Sequence, residues 1–410
     1  MNFRQWNKWI LYILILSGCQ GQTDSTKDGN QEETDLQKAR ELAGRFIILD
    51  GHVDLPYRME NHEGWIDVSE RTAEGDFDFV RAREGGLDAP FMSIYIPSSY
   101  QETGGAQEFA DSLIDMVGQI ASRYPDKFAL ANHSTDIKKN FDKGLISLPM
   151  GMENGAPIED KIENVAYFHS RGIRYITLTH ARDNLICDSS YDTTRTWNGL
   201  SKFGREVVIE MNKVGIMVDI SHVSDSAFYQ VMDITKAPAI ASHSSCRHFT
   251  PGFERNMSDD MIRKLGENGG VIQINFGTSF LDGELVTKNN ERTKQLEELL
   301  NREGIEPESE EGKEVSTRFN KEHPKFYADV SKVADHIDHV VELAGIDHVG
   351  IGSDYDGVGD SLPAGLKDVS GFPNLIAELL KRGYSESDIE KICSKNVLRV
   401  WSEVEEVAGQ

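Results

Sequence analysis

Residues 199–222, GLSKFGREVVIEMNKVGIMVDISH, contain the pattern that decides the fold of this chain. Residues 199–213 place apolar side chains at helical spacing, which predicts an amphipathic helix. Residues 216–220 are almost entirely apolar, as is typical of a strand buried on both faces of a parallel sheet. The run ends in Ser221 and His222. The segment therefore predicts a helix–strand unit of an α/β protein, with polar side chains where the strand stops.

The same unit recurs along the body of the chain. Short runs rich in Ile, Val and Phe alternate with further amphipathic stretches at residues 107–123, 259–267 and 330–344. Eight strands with helices between them favour a (β/α)₈ TIM-like barrel over an open doubly wound sheet. The predicted strands are residues 46–50, 91–96, 145–150, 173–178, 216–220, 237–241, 271–276 and 349–352.

The composition is that of an acidic, globular protein. The 410 residues carry 43 Lys and Arg against 68 Asp and Glu, a net charge of −25. Because such a surface repels phosphate backbones, the charge argues against nucleic-acid binding. Four cysteines are too few for a disulfide scaffold. Cys187, Cys246 and Cys393 lack metal-binding spacing, and the sequence leaves open whether Cys187 pairs with Cys246.

The N-terminus resembles a bacterial lipoprotein signal peptide at residues 1–18. Arg4 and Lys8 precede an apolar run at residues 10–16 that is too short to span a bilayer. The run ends in the letters LSGC, which resemble a lipobox and predict lipidation of Cys19. The alternatives are an ordinary signal peptide and a buried cysteine. Acyl chains on this residue would anchor the protein to membrane lipid.

Three regions are predicted downstream of this leader. Residues 19–41 begin with the lipidated Cys and are polar, which predicts a flexible tether. Residues 42–410 form the barrel domain, with a charged, partly helical insertion at about residues 283–329 and C-terminal helices. The leader predicts a location in the bacterial cell envelope, and Gln20 indicates the outer membrane or the cell surface.

Polar residues follow the predicted strands at one end of the barrel. Active sites of (β/α)₈ enzymes lie at the carboxyl ends of the strands, where residues from different strands converge. The polar residues at these ends are His52, Asp54, Glu153, His180, His222, His243 and Asp354.

These residue types fit a metal site. His52 and Asp54 are two residues apart on a strand and point to the same side. Glu153 lies in an apolar context, where a carboxylate is costly unless it is paired or binds metal. Taken singly, a histidine in the position of His222 or His243 is more often a hydrogen-bonded core residue than a metal ligand. Together, these residues predict two Zn²⁺ ions bridged by Glu153.

Six motifs, in order, resemble the membrane (renal) dipeptidase family of zinc peptidases. The similarity extends from about residue 46 to residue 401, nearly the whole body of the chain. The motifs are residues 50–56 (DGHVDLP), 151–155 (GMENG), 178–180 (LTH), 219–224 (DISHVS), 242–245 (SHSS) and 352–357 (GSDYDG).

The resemblance assigns metal ligands. It implies that His52 and Asp54 bind one zinc ion and that His222 and His243 bind the other. Glu153 would bridge the two ions, giving two Zn²⁺ per chain. This assignment agrees with the ligand chemistry that the residues themselves indicate.

The resemblance also assigns roles toward a substrate. It implies that His180 contacts the substrate near the scissile carbonyl, where it can donate to a developing oxyanion. Arg255 would grip the free carboxylate, for which its planar fork is suited. Asp354 would face the amino group and transfer protons. Catalytic roles thus fall to Glu153, His180 and Asp354, and substrate binding to His180, Arg255 and Asp354.

The sequence departs from the family pattern in three places. Residues 181–187 differ from the loop of the animal enzymes, so a disulfide there is not expected. Glu254 replaces a basic residue common beside Arg255, and the insertion at residues 283–329 is longer than in the animal enzymes. Side-chain selectivity therefore does not transfer.

The resemblance implies zinc-dependent hydrolysis of dipeptides, including those with a C-terminal D-amino acid, by a metal-bridging hydroxide. It also suggests a homodimer. One alternative is another metal-dependent amidohydrolase on this barrel, such as an N-acyl amino acid deacylase or lactonase. If Arg255→Ala leaves activity on the best substrate unchanged, a free carboxylate is not being read. A non-catalytic envelope binding protein is the other alternative, and the complete ligand set argues against it.

Overall fold

Parallel strands closed into a barrel form the centre of the protein. The computed structural model describes residues 25–409. Its strands are β1 Ile48–Val53, β2 Leu87–Tyr95, β3 Phe128–Leu130, β4 Ile146–Leu148, β5 Met150–Glu153, β6 Ile173–Thr177, β7 Met217–Asp219, β8 Ile240–Ser244, β9 Val271–Ile274 and β10 Val349–Ile351. The barrel order is β1-β2-β5-β6-β7-β8-β9-β10, with β10 paired to β1. This confirms the predicted (β/α)₈ fold.

Helices surround the barrel. A π-helical turn at Lys391–Lys395 joins the last two of them. The α-helices are α1 Ser25–Arg45, α2 Leu55–Glu60, α3 Phe79–Gly85, α4 Tyr100–Thr103, α5 Ala106–Arg123, α6 Ser134–Phe141, α7 Glu163–Ser170, α8 Lys202–Val214, α9 Asp225–Ile234, α10 Asp259–Glu267, α11 Thr278–Leu281, α12 Gly283–Glu303, α13 Glu310–Glu322, α14 Val330–Ala344, α15 Phe372–Lys381, α16 Glu386–Glu390 and α17 Asn396–Ala408.

The C-terminal helix closes the amino-terminal end of the barrel. Trp401 of α17 is fully buried, and its ring lies 5.3 Å from that of Phe91 in β2. Leu49 and Ile240, near the starts of β1 and β8, belong to the same apolar cluster. With this end filled by side chains, access to the barrel is left to the carboxyl ends of the strands.

The predicted third strand is wrong in its position. Residues 145–150 overlap two short strands, because Ile146–Leu148 pairs with β3 in a separate two-stranded sheet. The barrel strand is Met150–Glu153, which pairs with β2 through Tyr95 opposite Glu153. The apolar pattern runs across Pro149 without interruption, so the break between the strands is not visible in it. Glu153 is consequently the last residue of a strand rather than part of a following loop.

The structure also differs from the predicted tether at residues 19–41, because α1 begins at Ser25. Ala39 and Leu42 are buried against α15, and Lys38 lies 3.0 Å from Glu386. Apolar side chains at helical spacing explain this packing. Residues 1–18 and the predicted lipidation site Cys19 lie outside the described residues. Among residues 25–409, none of the helices has the length and apolar character needed to cross a bilayer.

The predicted insertion folds as helices α12 and α13. Leu300 of α12 and both Val315 and Phe319 of α13 are buried, while most other side chains of the pair are exposed. Within the described chain, Cys187, Cys246 and Cys393 are all buried and unpaired. The open question of a Cys187–Cys246 disulfide is thereby answered in the negative.

Candidate metal centre and substrate cavity

Glu153 lies at the centre of a group of histidines at the carboxyl ends of the strands. Its Oε1 is 3.0 Å from Nε2 of His222 and 3.2 Å from Nε2 of His243. Its Oε2 is 3.5 Å from Nε2 of His52. The two carboxylate oxygens thus face different imidazoles, which is the arrangement a carboxylate needs to bridge two metal ions.

The strand ends place these side chains. His52, Glu153 and His243 belong to β1, β5 and β8, and all three are buried. His222 and Asp354 follow β7 and β10 with φ angles of 68° and 64°. Because a non-glycine residue at positive φ costs about 1 kcal/mol or more, such residues concentrate at functional sites. The backbone strain therefore also marks this end of the barrel as the site.

Tyr175 orients the imidazole of His52. The Tyr175 hydroxyl donates to the carbonyl oxygen of Gly51 (3.1 Å) and lies 2.8 Å from Nδ1 of His52. Since its proton is used on Gly51, the hydroxyl accepts from Nδ1–H, so Nε2 is the ring nitrogen that faces Asp54 and Glu153. Gly151 makes room for the Tyr175 ring, because a Cβ there would lie 1.9 Å from it.

Asp219 orients His243 through Ser242 in the same way. The Ser242 hydroxyl donates to Oδ2 of Asp219 (2.6 Å) and lies 2.8 Å from Nδ1 of His243. The hydroxyl therefore accepts from Nδ1–H, which frees Nε2. Asp219 also accepts from the Thr177 hydroxyl and from the Ser221 amide. Neither Tyr175 nor Asp219 was assigned a role from the sequence.

The charge states suit cation binding. Burial lowers the pKa of His222 and of His243 well below the usual value, so both imidazoles are neutral ligands. Burial alone would raise the pKa of Glu153, but the surrounding imidazoles, His180 and His52 first, hold it well below its usual range. A neutral imidazole and an ionised carboxylate are the forms that bind metal.

Unsatisfied atoms point to the same conclusion. Within the described part of the chain, His52 Nε2 and Asp54 Oδ1 are buried without a hydrogen-bond partner. Buried polar atoms are rarely left unpaired, and a cation would satisfy both of these. The residues at this end of the barrel therefore fit a bound metal ion.

The structure brings all five predicted ligands together. His52 Nε2 lies 3.5 Å from Asp54 Oδ2, and the Nε2 atoms of His222 and His243 are 2.9 Å apart. These are the two predicted ligand pairs. At this end of the barrel, the possible three-residue metal groups, each with ligand atoms within 4.8 Å of one another, are His52–Glu153–His243, Glu153–His180–His222 and His52–Asp54–Asp354.

Asp354 joins this centre through a partner that sequence analysis missed. Asn275, which follows β9, donates its side-chain amide to Asp354 Oδ2 at 2.7 Å. Burial raises the pKa of Asp354 to about 7. The hydrogen bond holds one carboxylate oxygen in place and leaves the other toward His52 and Asp54.

His180 borders the metal ligands. Its Nε2 is 3.7 Å from Glu153 Oε1, and its ring packs 4.3 Å from that of His222 and 4.8 Å from that of Tyr95. Burial lowers the pKa of His180, and its imidazole carries at least one N–H donor.

Arg255 is buried beside the centre. Its guanidinium donates to Ser244 Oγ (2.6 Å) and to the carbonyl oxygen of His243 (2.8 Å). The ring of Phe280 covers it at 5.3 Å. Glu254 instead pairs with Arg195, so Arg255 makes no ion pair with its neighbour. Among the described residues its Nε has no acceptor, which leaves a buried donor available.

A cavity of about 610 Å³ opens above these groups. Tyrosine and phenylalanine rings supply its apolar walls, and the candidate metal ligands lie at its base. This size suits a small organic ligand. Arg255 lies behind Phe280 rather than on the wall itself. The lining residues that shape it include Tyr57, Tyr95, Glu153, His180, Tyr191, His222, Phe280, Asp354 and Ser361.

A closed (β/α)₈ barrel with His, Asp and Glu gathered at the carboxyl ends of its strands defines a metal-dependent hydrolase of the TIM-barrel class. The comparison with known proteins makes this specific. Residues 36–410 match the membrane dipeptidase family, peptidase family M19. The chain belongs to this family and is a metallodipeptidase, which confirms the family and enzyme class that the sequence motifs predict.

Relatives agree with this assignment. Dipeptidase verJ of Clonostachys rogersoniana is 35% identical over 395 residues, covering 92% of this chain and 89% of the relative. An uncharacterized dipeptidase of Schizosaccharomyces pombe is 33% identical over 388 residues, covering 91% and 85%. The crystal structure of the probable dipeptidase PvdM from Pseudomonas aeruginosa has a TM-score of 0.77 at 26% identity, covering 92% of this chain and 100% of that one.

Proposed function

We propose that this metallodipeptidase uses two Zn²⁺ ions to hydrolyse free dipeptides, including those with a C-terminal D-amino acid. The observation that carries the proposal is the position of Glu153, whose two oxygens face different histidines. The proposed zinc ligands are His52, Asp54, Glu153, His222 and His243.

Two bound cations would acidify a water and polarise the scissile carbonyl. The remaining work falls to side chains of this chain. Asp354, held by Asn275, is placed to take a proton from the nucleophile and deliver it to the leaving amine. His180 carries one N–H that can stabilise negative charge on the carbonyl oxygen.

The proposed substrate is read at its free carboxylate by Arg255, whose Nε has no acceptor among the described residues, and Phe280, which covers the guanidinium, would have to turn aside for this contact. A cavity of about 610 Å³ is large enough for two residues and their side chains. A metallopeptidase from Rhodobacter sphaeroides, similar in fold (TM-score 0.72, 24% identity), was crystallised with a phosphinate mimic of L-Ala-D-Ala. This likeness supports including D-residues at the C-terminal position.

Substrate hydrolysis tests the function directly. Purified protein, stripped with a chelator and reloaded with Zn²⁺, is assayed on L-Ala-D-Ala, L-Ala-L-Ala and N-acetyl-D-Ala. We expect zinc-dependent release of amino acids from one or both dipeptides and none from the acylated amino acid. Hydrolysis of N-acetyl-D-Ala alone would favour an N-acyl amino acid deacylase. A fully zinc-loaded enzyme inactive on every dipeptide would refute the proposal.

The location is proposed from the leader. Lipidation at Cys19 would hold the catalytic domain at the cell envelope, on the outer membrane or cell surface, where peptidoglycan fragments could supply D-amino acid dipeptides. Mass spectrometry of the N-terminal peptide, compared between the native chain and Cys19→Ala, tests this. An unmodified Cys19 in the mature protein would contradict the anchor. A homodimer is proposed from the family, and the mass in solution tests it.

A further inference from the structure

A second group of possible metal ligands lies outside the barrel mouth. The ligand atoms of His248, Asp259 and His339 lie within 4.8 Å of one another. His339 Nε2 is 2.8 Å from Asp259 Oδ1, and the rings of His248 and His339 are 4.5 Å apart. Two imidazoles and a carboxylate form a common ligand set for Zn²⁺, with a fourth position left for water.

These residues come from three separate elements. His248 lies in the 3₁₀ turn Arg247–Phe249 after β8, Asp259 is the first residue of α10, and His339 lies in α14. His248 and Asp259 therefore flank the segment of residues 249–258, which contains Arg255. An ion bound by all three would fasten both ends of this segment to α14.

The local geometry and charge allow an ion to enter. His248 is exposed, and the side chains of Asp259 and His339 are 40% and 12% exposed, so the group can be reached from solvent. Tetrahedral zinc with ligand distances of about 2.1 Å separates its ligand atoms by about 3.4 Å, so His339 Nε2 and Asp259 Oδ1, now 2.8 Å apart, would move apart by about 0.6 Å. The neighbouring cation Arg247 donates to both carboxylate oxygens of Asp225, at 2.6 and 2.7 Å, so its positive charge is paired.

We propose that His248, Asp259 and His339 bind a divalent transition-metal ion that ties the Arg255-containing segment to α14. The metal site stands independently of the dipeptidase proposal, and only its consequence for substrate carboxylate binding rests on it. The alternative is that the His339–Asp259 hydrogen bond joins α10 and α14 with no ion.

Zinc titration of the full chain, already loaded at the barrel site, distinguishes these. Isothermal titration calorimetry compares the wild type with His248→Gln and His339→Asn. The matched control is His62→Gln, another exposed histidine, whose Nδ1 contacts only a backbone carbonyl among its described hydrogen bonds. We expect one additional zinc per chain in the wild type and the control, with affinity at least tenfold weaker in both cluster variants.

Equal zinc affinity in all four proteins would overturn the site, and so would an equal loss in the His62→Gln control. Because His248 is exposed, His248→Gln remains informative if His339→Asn fails to fold. Hydrogen exchange supplies the second readout. Zinc should slow amide exchange in residues 249–258 of the wild type but not of His248→Gln. Unchanged exchange on zinc saturation would overturn the tie to α14. Neither measurement depends on peptidase activity, so failure of the proposed function is separately visible.

Discussion

Replacing Tyr175 with phenylalanine tests whether a buried hydroxyl orients the metal centre. The hydroxyl accepts from His52 Nδ1–H and donates to the Gly51 carbonyl, and the residue is fully buried. Tyr175→Phe keeps the ring between Phe91 and Gly151 but removes both hydrogen bonds. We therefore expect the change to act on the tautomer and direction of the imidazole more than on packing.

The magnitude follows from the two lost bonds. Each buried hydrogen bond contributes about 1 kcal/mol, so the free energy of unfolding of the metal-free chain should fall by about 1–3 kcal/mol. Removing a group that orients a metal-binding histidine typically weakens metal affinity by about 10- to 100-fold. At the same time, kcat at saturating zinc should fall, because His52 would no longer hold one tautomer.

Zinc affinity is measured by competition with a chromophoric chelator, and stability by urea unfolding of the metal-free protein. Tyr384→Phe is the matched control, since its hydroxyl bonds Asp338 at 2.7 Å and does not contact the proposed zinc ligands. The control should lose stability without losing zinc affinity. If Tyr175→Phe binds zinc within twofold of the wild type, the hydroxyl does not orient His52 and the reasoning is refuted.

Three further predictions follow from single positions. Gly151→Ala places a Cβ 1.9 Å from the Tyr175 ring, so we expect weaker zinc binding and lower activity, measured by the same competition assay. Arg255→Ala should raise KM for dipeptides at least tenfold through loss of a carboxylate contact, with metal content unchanged; an unchanged KM would contradict the assigned role. Asp88 is buried, and its burial raises its pKa to about 7, so the fold favours its protonated form. The free energy of unfolding of the wild type should therefore fall as pH rises from about 4 to 7. In unfolding titrations over that window, Asp88→Asn should become more stable than the wild type by up to ~4 kcal/mol. A difference that does not change with pH would contradict this.

Sequence pattern predicts the barrel because parallel strands are buried on both faces. Their continuous apolar runs are visible without knowledge of what packs on them. The same property hides boundaries, as at Pro149, where two short strands of different sheets follow one another. It also hides strands as short as Phe128–Leu130. The start of α1 was missed because its polar first half matches a tether, and only its contact with α15 distinguishes the two.

In the candidate site, too, some residues could be predicted from the sequence pattern and others could not. The predicted ligands come directly after or at the ends of strands, so fold prediction alone brings them together. Tyr175 and Asn275 were not predicted, because their partners are 123 and 79 residues away in sequence. A tyrosine or asparagine on a buried strand or loop has many ordinary uses. Only the tertiary contacts assign these two to the metal centre.

The proposed cleavage next to the C-terminal residue follows from how Arg255 is held. Its guanidinium bonds the carbonyl oxygen of His243, which is itself a proposed metal ligand, and the hydroxyl of Ser244 in the same strand. The distance from the proposed metal ligands to the proposed carboxylate-binding group is therefore set by β8 and not by a flexible loop. A substrate that is held at its scissile carbonyl and at its terminal carboxylate must match that one distance. Cleavage deeper in a chain would place the carboxylate farther from the scissile bond, so Arg255 restricts cleavage to the last peptide bond, and the limit to two residues falls to Asp354, which is proposed to face the amino group.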